Sequence, residues 1–102
     1  MPEPKLSTEA VERALAELNH NRGAAAPWEI AAGKLHKTFV FANFIDAFAF
    51  MTAAALSAEK MNHHPEWRNV YKTVSVDLTT HESGGITQLD FDLAAAMDAL
   101  AR

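Results

Sequence analysis

Five histidines stand in a chain of 102 residues, and three of them, His63, His64 and His81, fall within 19 positions. Imidazole is the side chain whose ordinary pKa lies closest to neutrality, so such a cluster can deliver one proton and take another at working pH. The first two sit in Glu59-Lys60-Met61-Asn62-His63-His64-Pro65-Glu66-Trp67 and the third in Thr80-His81-Glu82. Pro65 fixes its own φ and keeps His64 extended, which makes the pair part of a rigid corner. Adjacent side chains on extended backbone point opposite ways, so His63 and His64 need not share a role. Three histidines with a carboxylate could also be a zinc set, because imidazole nitrogen is a preferred ligand. Their spacing is not that of two histidines on successive helical turns, and no metal site is expected. His20 and His36 stand apart from the cluster and read as surface residues.

Three neighbours of the cluster carry chemistry of their own. Glu59 falls about 60° around a helix from Phe44, inside the stripe Phe44, Phe48, Met51 and Ala55. A carboxylate at the end of a buried stripe needs a partner, and a histidine is at hand. Trp67, two residues past the proline, offers a flat apolar wall to a planar heterocycle. Asp90 stands three residues after Thr87, the spacing of a reciprocal helix cap, and reads first as a capping carboxylate.

Elements must hold these residues in place. Ser7 or Thr8 can cap a first helix with Val11, Leu15 and Leu18 on one face, and Asn19 to Pro27 ends it after a frayed start at Pro2 and Pro4. Trp28-Glu29-Ile30 and Leu35 to Phe41 alternate on either side of Gly33 and predict a hairpin, with Lys37 interrupting the apolar face. From Asn43 to about Lys60 the period lengthens to that of a long alanine-rich helix whose phenylalanines, with Trp28, are expected in the core. Val70, Val74, Val76 and Leu78 then alternate in β structure, with a turn near Tyr71-Lys72, and Gly84-Gly85 ends it. Leu89, Leu93, Met97 and Leu100 form the stripe of a last helix. The order αββαββα predicts an α+β fold, a single four-stranded antiparallel sheet with helices packed on one face.

Composition narrows the function classes. About 50 residues are hydrophobic, but 20 are alanine, leaving about 30 larger apolar side chains. That suffices for one domain spanning 1–102 and leaves little room for an internal ligand cavity, so a site is expected at a surface cleft or between subunits. The absence of cysteine excludes disulfides, thiolate metal sites and thiol nucleophiles, and accommodates a cytoplasmic setting. A net charge of −4 without a basic run argues against a nucleic-acid partner. No segment reads as a signal peptide or a membrane span, because Asn43 and Asp46 interrupt the stretch Phe39 to Leu56.

The run from Glu59 to Trp67, with Asn69-Val70-Tyr71, Thr80-His81-Glu82 and Asp90, resembles the signature of the pterin-4a-carbinolamine dehydratase family, and the likeness extends over nearly the whole chain. The resemblance implies a four-stranded antiparallel sheet with a tight hairpin near Tyr71-Lys72. It implies dehydration of 4a-hydroxytetrahydrobiopterin to quinonoid dihydropterin, which recycles the pterin used by aromatic amino acid hydroxylases without metal or organic cofactor. His63 and His81 would be the acid/base pair and His64 would help hold the pterin; Glu59, Asn62, Pro65, Trp67 and Asp90 would shape or border its site. The family often has aspartate where this chain has Asn62. An amide cannot stabilise an imidazolium by charge, which bears on pH optimum and rate rather than on reaction type. A homodimer or homotetramer is implied, the small residues of the long helix permitting close packing between subunits. Two other readings stand beside the enzyme: a protein–protein scaffold, as in animal members that act as dimerisation cofactors of a transcription factor, and a role in another pterin pathway such as molybdopterin metabolism.

Overall fold

In a computed structural model of the chain, residues 3–20 and 26–101 are described; Pro2 and residues 21–25, part of the segment expected to end the first helix, lie outside the described residues. The elements are α1 (Thr8–Asn19), β1 (Glu29–Ala31), β2 (Lys34–Val40), α2 (Phe44–Met61), β3 (Glu66–Val70), β4 (Thr73–Leu78), a 3-10 turn over His81–Ser83, and α3 (Gln88–Leu100). This is the order αββαββα, with the short turn before α3 unforeseen.

Local chemistry sets the boundaries. Ser7 accepts the Ala10 amide at 3.1 Å to start α1, and Asn43 accepts that of Asp46 at 2.8 Å to start α2. Ala32 and Gly33 both take positive φ, 53° and 77°, the requirement of a two-residue type I′ hairpin between β1 and β2. Tyr71, at φ 51°, turns the chain between β3 and β4 where no glycine or proline marks it.

The four strands pair antiparallel in the order β1-β2-β4-β3. Leu35, Lys37 and Phe39 alternate with His36 and Thr38 along β2, and Val74, Val76 and Leu78 with Ser75 and Asp77 along β4. The first set is buried under the helices, and the second lies on the open face. Register aligns Glu29, His36, Asp77 and Glu66 in one row across that open face. Lys37 sits on the covered face at only 5% exposure because Asp98 of α3 pairs with it at 2.9 Å. Asp98 also accepts the Trp28 indole N–H, which anchors that ring at the base of the core.

The expectation that the phenylalanines of the long helix are core holds for one of them. Phe50 is buried with Ala47, Ala54 and Ala58, whereas Phe44 and Phe48 are 46% and 55% exposed and Ala55 is also exposed. The helix is apolar nearly all round, so the spacing from Phe44 picks out a stripe but not the one facing the sheet. Among the described residues no helix is long and apolar enough to cross a membrane.

Candidate active site

The corner after α2 is built by its last turn. Asn62 takes the left-handed conformation, φ 52° and ψ 43°, so its amide reaches Glu59 O at 3.1 Å and that of His63 reaches Ala58 O at 3.0 Å. This double closure is a Schellman motif, and asparagine is among the few residues that enter the left-handed region at low cost. Asn62 is therefore accounted for by its backbone. Its exposed side chain bonds neither histidine.

His63, thereby aimed inward, is 8% exposed, and its Nε2–H donates to Oδ1 of Asp90 at 2.5 Å. Asp90 is fully buried. Its other oxygen accepts the Thr80 hydroxyl at 2.9 Å and the Thr87 amide at 2.9 Å. Because Thr80 gives its proton to Asp90, the Thr87 hydroxyl donates to Thr80 at 2.8 Å while itself accepting the Leu89 amide at 3.2 Å. Every donor in this chain points toward the carboxylate, and Asp90 serves at once as the helix cap expected from its spacing and as the partner of His63. With Nε2 donating to Asp90, Nδ1 is the ring nitrogen left for a second partner. Among the described residues Nδ1 has no partner and no buried side-chain nitrogen or oxygen lacks a hydrogen bond, so Nδ1 is the nitrogen that reaches the surface.

The other two histidines repeat the pairing at the surface. Glu59 does find a histidine, His64, whose Nε2 donates to it at 2.8 Å; both side chains are more than half exposed. His81, on the 3-10 turn, donates from Nε2 to Oε2 of Glu66 at 2.7 Å, and Lys34 donates to Oε1 of the same carboxylate at 2.6 Å. The Lys34 bond, then that of His81, holds the Glu66 carboxyl below its ordinary 4.5, against a lesser effect of desolvation. Lys34 is pushed above its ordinary 10.5, chiefly by the same bond.

The three pairs lie at one end of the molecule. Thr80, beside His81, holds Asp90, which holds His63, and Glu66 follows His63 by three residues and holds His81. Trp67 opposes Val76 on the helix-covered face of the sheet and packs partly buried against the core, while Pro65 introduces β3. His36, remote from the cluster in sequence, pairs with Asp77 at 2.9 Å on the open face. A concavity of about 1180 Å³ between β2, the first half of α2 and the end of α3 contains none of the predicted site residues. Among the described residues no three metal-ligating side chains converge. Lys34, Glu66 and Thr80 are the members that sequence reasoning did not single out. Alternation offered a signal for Thr80, a polar residue continuing the inward positions of Val74, Val76 and Leu78.

The family model of the pterin 4 alpha carbinolamine dehydratases matches residues 4–100. The chain belongs to that family. A Solibacter usitatus protein provisionally named a pterin-4-alpha-carbinolamine dehydratase is 56% identical over 97 residues, covering 95% of each chain. A Chelativorans protein with the same provisional name is 54% identical over 103 residues, covering 99% of this chain and 98% of its own. A solved structure from Brucella melitensis, described as a transcriptional coactivator/pterin dehydratase, superposes with a TM-score of 0.85 at 39% identity over 96% of this chain and 99% of the other. A pterin dehydratase-like protein identified as a RuBisCO assembly factor in the alpha-carboxysome shares the fold, with a TM-score of 0.62 at 24% identity over 79% of this chain and 94% of its own. In this member of the family each of His63, His64 and His81 has a carboxylate partner.

Proposed function

We propose that the protein dehydrates 4a-hydroxytetrahydrobiopterin to quinonoid dihydropterin and water by histidine general acid/base catalysis. The observation that carries this reading is His63, locked by a buried carboxylate through Nε2 with Nδ1 left open. In the reaction the C4a–O bond breaks as a proton reaches the departing hydroxyl, and loss of the N5 proton lets the nitrogen electron pair form the C4a=N5 bond. In this reading His63 takes the ring proton at Nδ1, and His81, exposed on its turn beside ionised Glu66, supplies the other. His64 and Trp67 border the pterin. Asp90, wholly buried, acts through His63, and Glu59 through His64. Water leaves and one proton is returned, so no metal or redox partner is needed to balance the step.

The test is the rate of quinonoid dihydropterin formation, followed by absorbance, from a chemically generated 4a-carbinolamine. Acceleration by the wild type, lost in His63→Ala and in His81→Ala, is the expected result. Full turnover in both variants would refute the assignment. The reading includes a cytoplasmic location and supply of the carbinolamine by an aromatic amino acid hydroxylase.

A second feature supports association through α2. Phe44, Ile45, Phe48 and Leu56 are 46%, 76%, 55% and 70% exposed along one side of a helix, and large apolar side chains grouped in this way mark an interaction surface. A homodimer or homotetramer joined by these helices covers it. Sedimentation of the wild type as an oligomer, and of Phe48→Glu as a monomer, checks this; a monomeric wild type leaves the scaffold reading, with the stripe open to another protein.

A further inference from the structure

We infer that Lys34 and Glu66 are positioning residues for His81, an inference that rests on the reading of His81 as one of the acid/base pair. His81 stands on a three-residue turn with its side chain 76% exposed, so little packing restricts its ring. Its restraint is the bond from Nε2 to Glu66 at 2.7 Å. Glu66 is in turn held by a second donor from a different strand. Lys34 reaches from β2 across the open face of β4 to Oε1 at 2.6 Å, leaving Oε2 for the imidazole. Each carboxylate oxygen has one donor, so the group is fixed in direction as well as in place.

The backbone fixes the ammonium end. Lys34 is the first residue of β2, paired with Ala31 across the tight turn in which Ala32 and Gly33 both take positive φ. Asp77, between His36 and Glu66 in this row, adds a weaker attraction for the ammonium while its Oδ1 is held by His36 at 2.9 Å, and the hydrogen bond of Lys34 goes to Glu66. The contrast with His64 is instructive: among the described residues Glu59 carries that imidazole and no second donor, and its side chain is 78% exposed. His81 thus has a braced partner where His64 has a loose one. A proton donor must meet its acceptor within hydrogen-bond reach, and a displacement of about 1 Å can cost on the order of a hundredfold in rate.

The experiment compares Glu66→Gln, Lys34→Met and Lys34→Arg with the wild type in the dehydration assay and by ¹⁵N NMR of the His81 imidazole. We expect Glu66→Gln to lower kcat about tenfold and Lys34→Met about threefold, with KM within about twofold, and Lys34→Arg to restore most of the loss. The His81 Nε2 resonance should move in Glu66→Gln. Unchanged kcat in both Glu66→Gln and Lys34→Met overturns the inference, as does an effect confined to KM, or a His81 resonance that stays in place. A wild type that fails to accelerate the reaction rejects the dehydratase reading instead. The imidazole resonance then decides the positioning by itself, a shift in Glu66→Gln supporting it and none overturning it.

Discussion

The same chemical pair, an imidazole Nε2–H on a carboxylate, occurs in a buried and in an exposed setting. His63 and Asp90 are 9% and 0% exposed in their side chains, against 58% and 78% for His64 and Glu59. The bond lengths differ by little, 2.5 Å against 2.8 Å, but the surroundings differ in kind. Around Asp90 two further donors and a second threonine complete every hydrogen bond, which a buried charge requires. Around Glu59 water does that work, and the pair gains little from its own geometry. The buried pair can therefore fix a ring for chemistry, while the exposed pair leaves its ring free to follow a ligand.

Removing the buried acceptor should break this contrast most strongly. Asp90→Asn keeps the shape but presents a neutral amide to His63, Thr80 and the Thr87 amide. Breaking a buried pair by removing one partner costs about 3–5 kcal/mol. Dehydration should fall on the order of 10²-fold or more, as the ring loses its fixed tautomer. Urea denaturation and the turnover assay check the two effects together, and a variant with wild-type stability would show that the pair is not the anchor described. His63→Ala and His81→Ala should each lower the rate about 10²- to 10⁴-fold. They part on stability: the urea midpoint should fall for His63→Ala, which opens a cavity and strands Asp90, and hold for His81→Ala. Equal midpoints would erase the distinction between buried and exposed.

Thr80→Val sharpens the comparison at smaller scale. It removes the hydroxyl that donates to Asp90 and accepts from Thr87 and leaves both buried partners short, at a cost of about 1–3 kcal/mol in chemical denaturation. Glu59→Gln, the same class of change in the exposed pair, should leave the midpoint unmoved within error. A loss in Glu59→Gln comparable to that in Thr80→Val would mean that burial is not what separates the pairs.

Much of this arrangement was legible in the residues. Alternation and caps found the strands, the helices and their order, because period and capping chemistry are local. The histidine cluster and its partner Glu59 came from spacing across one corner. Three things were not available. The register of β2, β4 and β3, a product of tertiary pairing, brings Lys34 to Glu66, and no local pattern links residues in strands that are not adjacent. The orientation of α2 was hidden because Phe44, Phe48 and Phe50 all lie on a helix apolar on nearly every side; only packing against the sheet chose Phe50. Asn62, read as a site residue, has a backbone reason for its identity that appears only once its φ is known.

The smallest expected effect concerns the third pair, which lies between the extremes. Lys34 and Glu66 are 36% and 41% exposed in their side chains, so water screens their attraction and its contribution to stability is slight. Its pH dependence nevertheless has a definite sign. Glu66 titrates below its ordinary 4.5 in the folded chain, so its contribution is present above that value and is lost as pH falls through the lowered one. Lys34 titrates above its ordinary 10.5, so its contribution is full below that value and is lost as pH rises through the raised one. The difference in urea midpoint between wild type and Lys34→Met should accordingly be level through the neutral range and close toward both acid and alkali. The substitution removes the ammonium and leaves both His81 and Glu66 in the chain, so the difference reports what Lys34 contributes. A gap that widens in acid would mean that Lys34 is stabilised by something other than the ionised Glu66, and the braced carboxylate beside His81 would lose its second anchor.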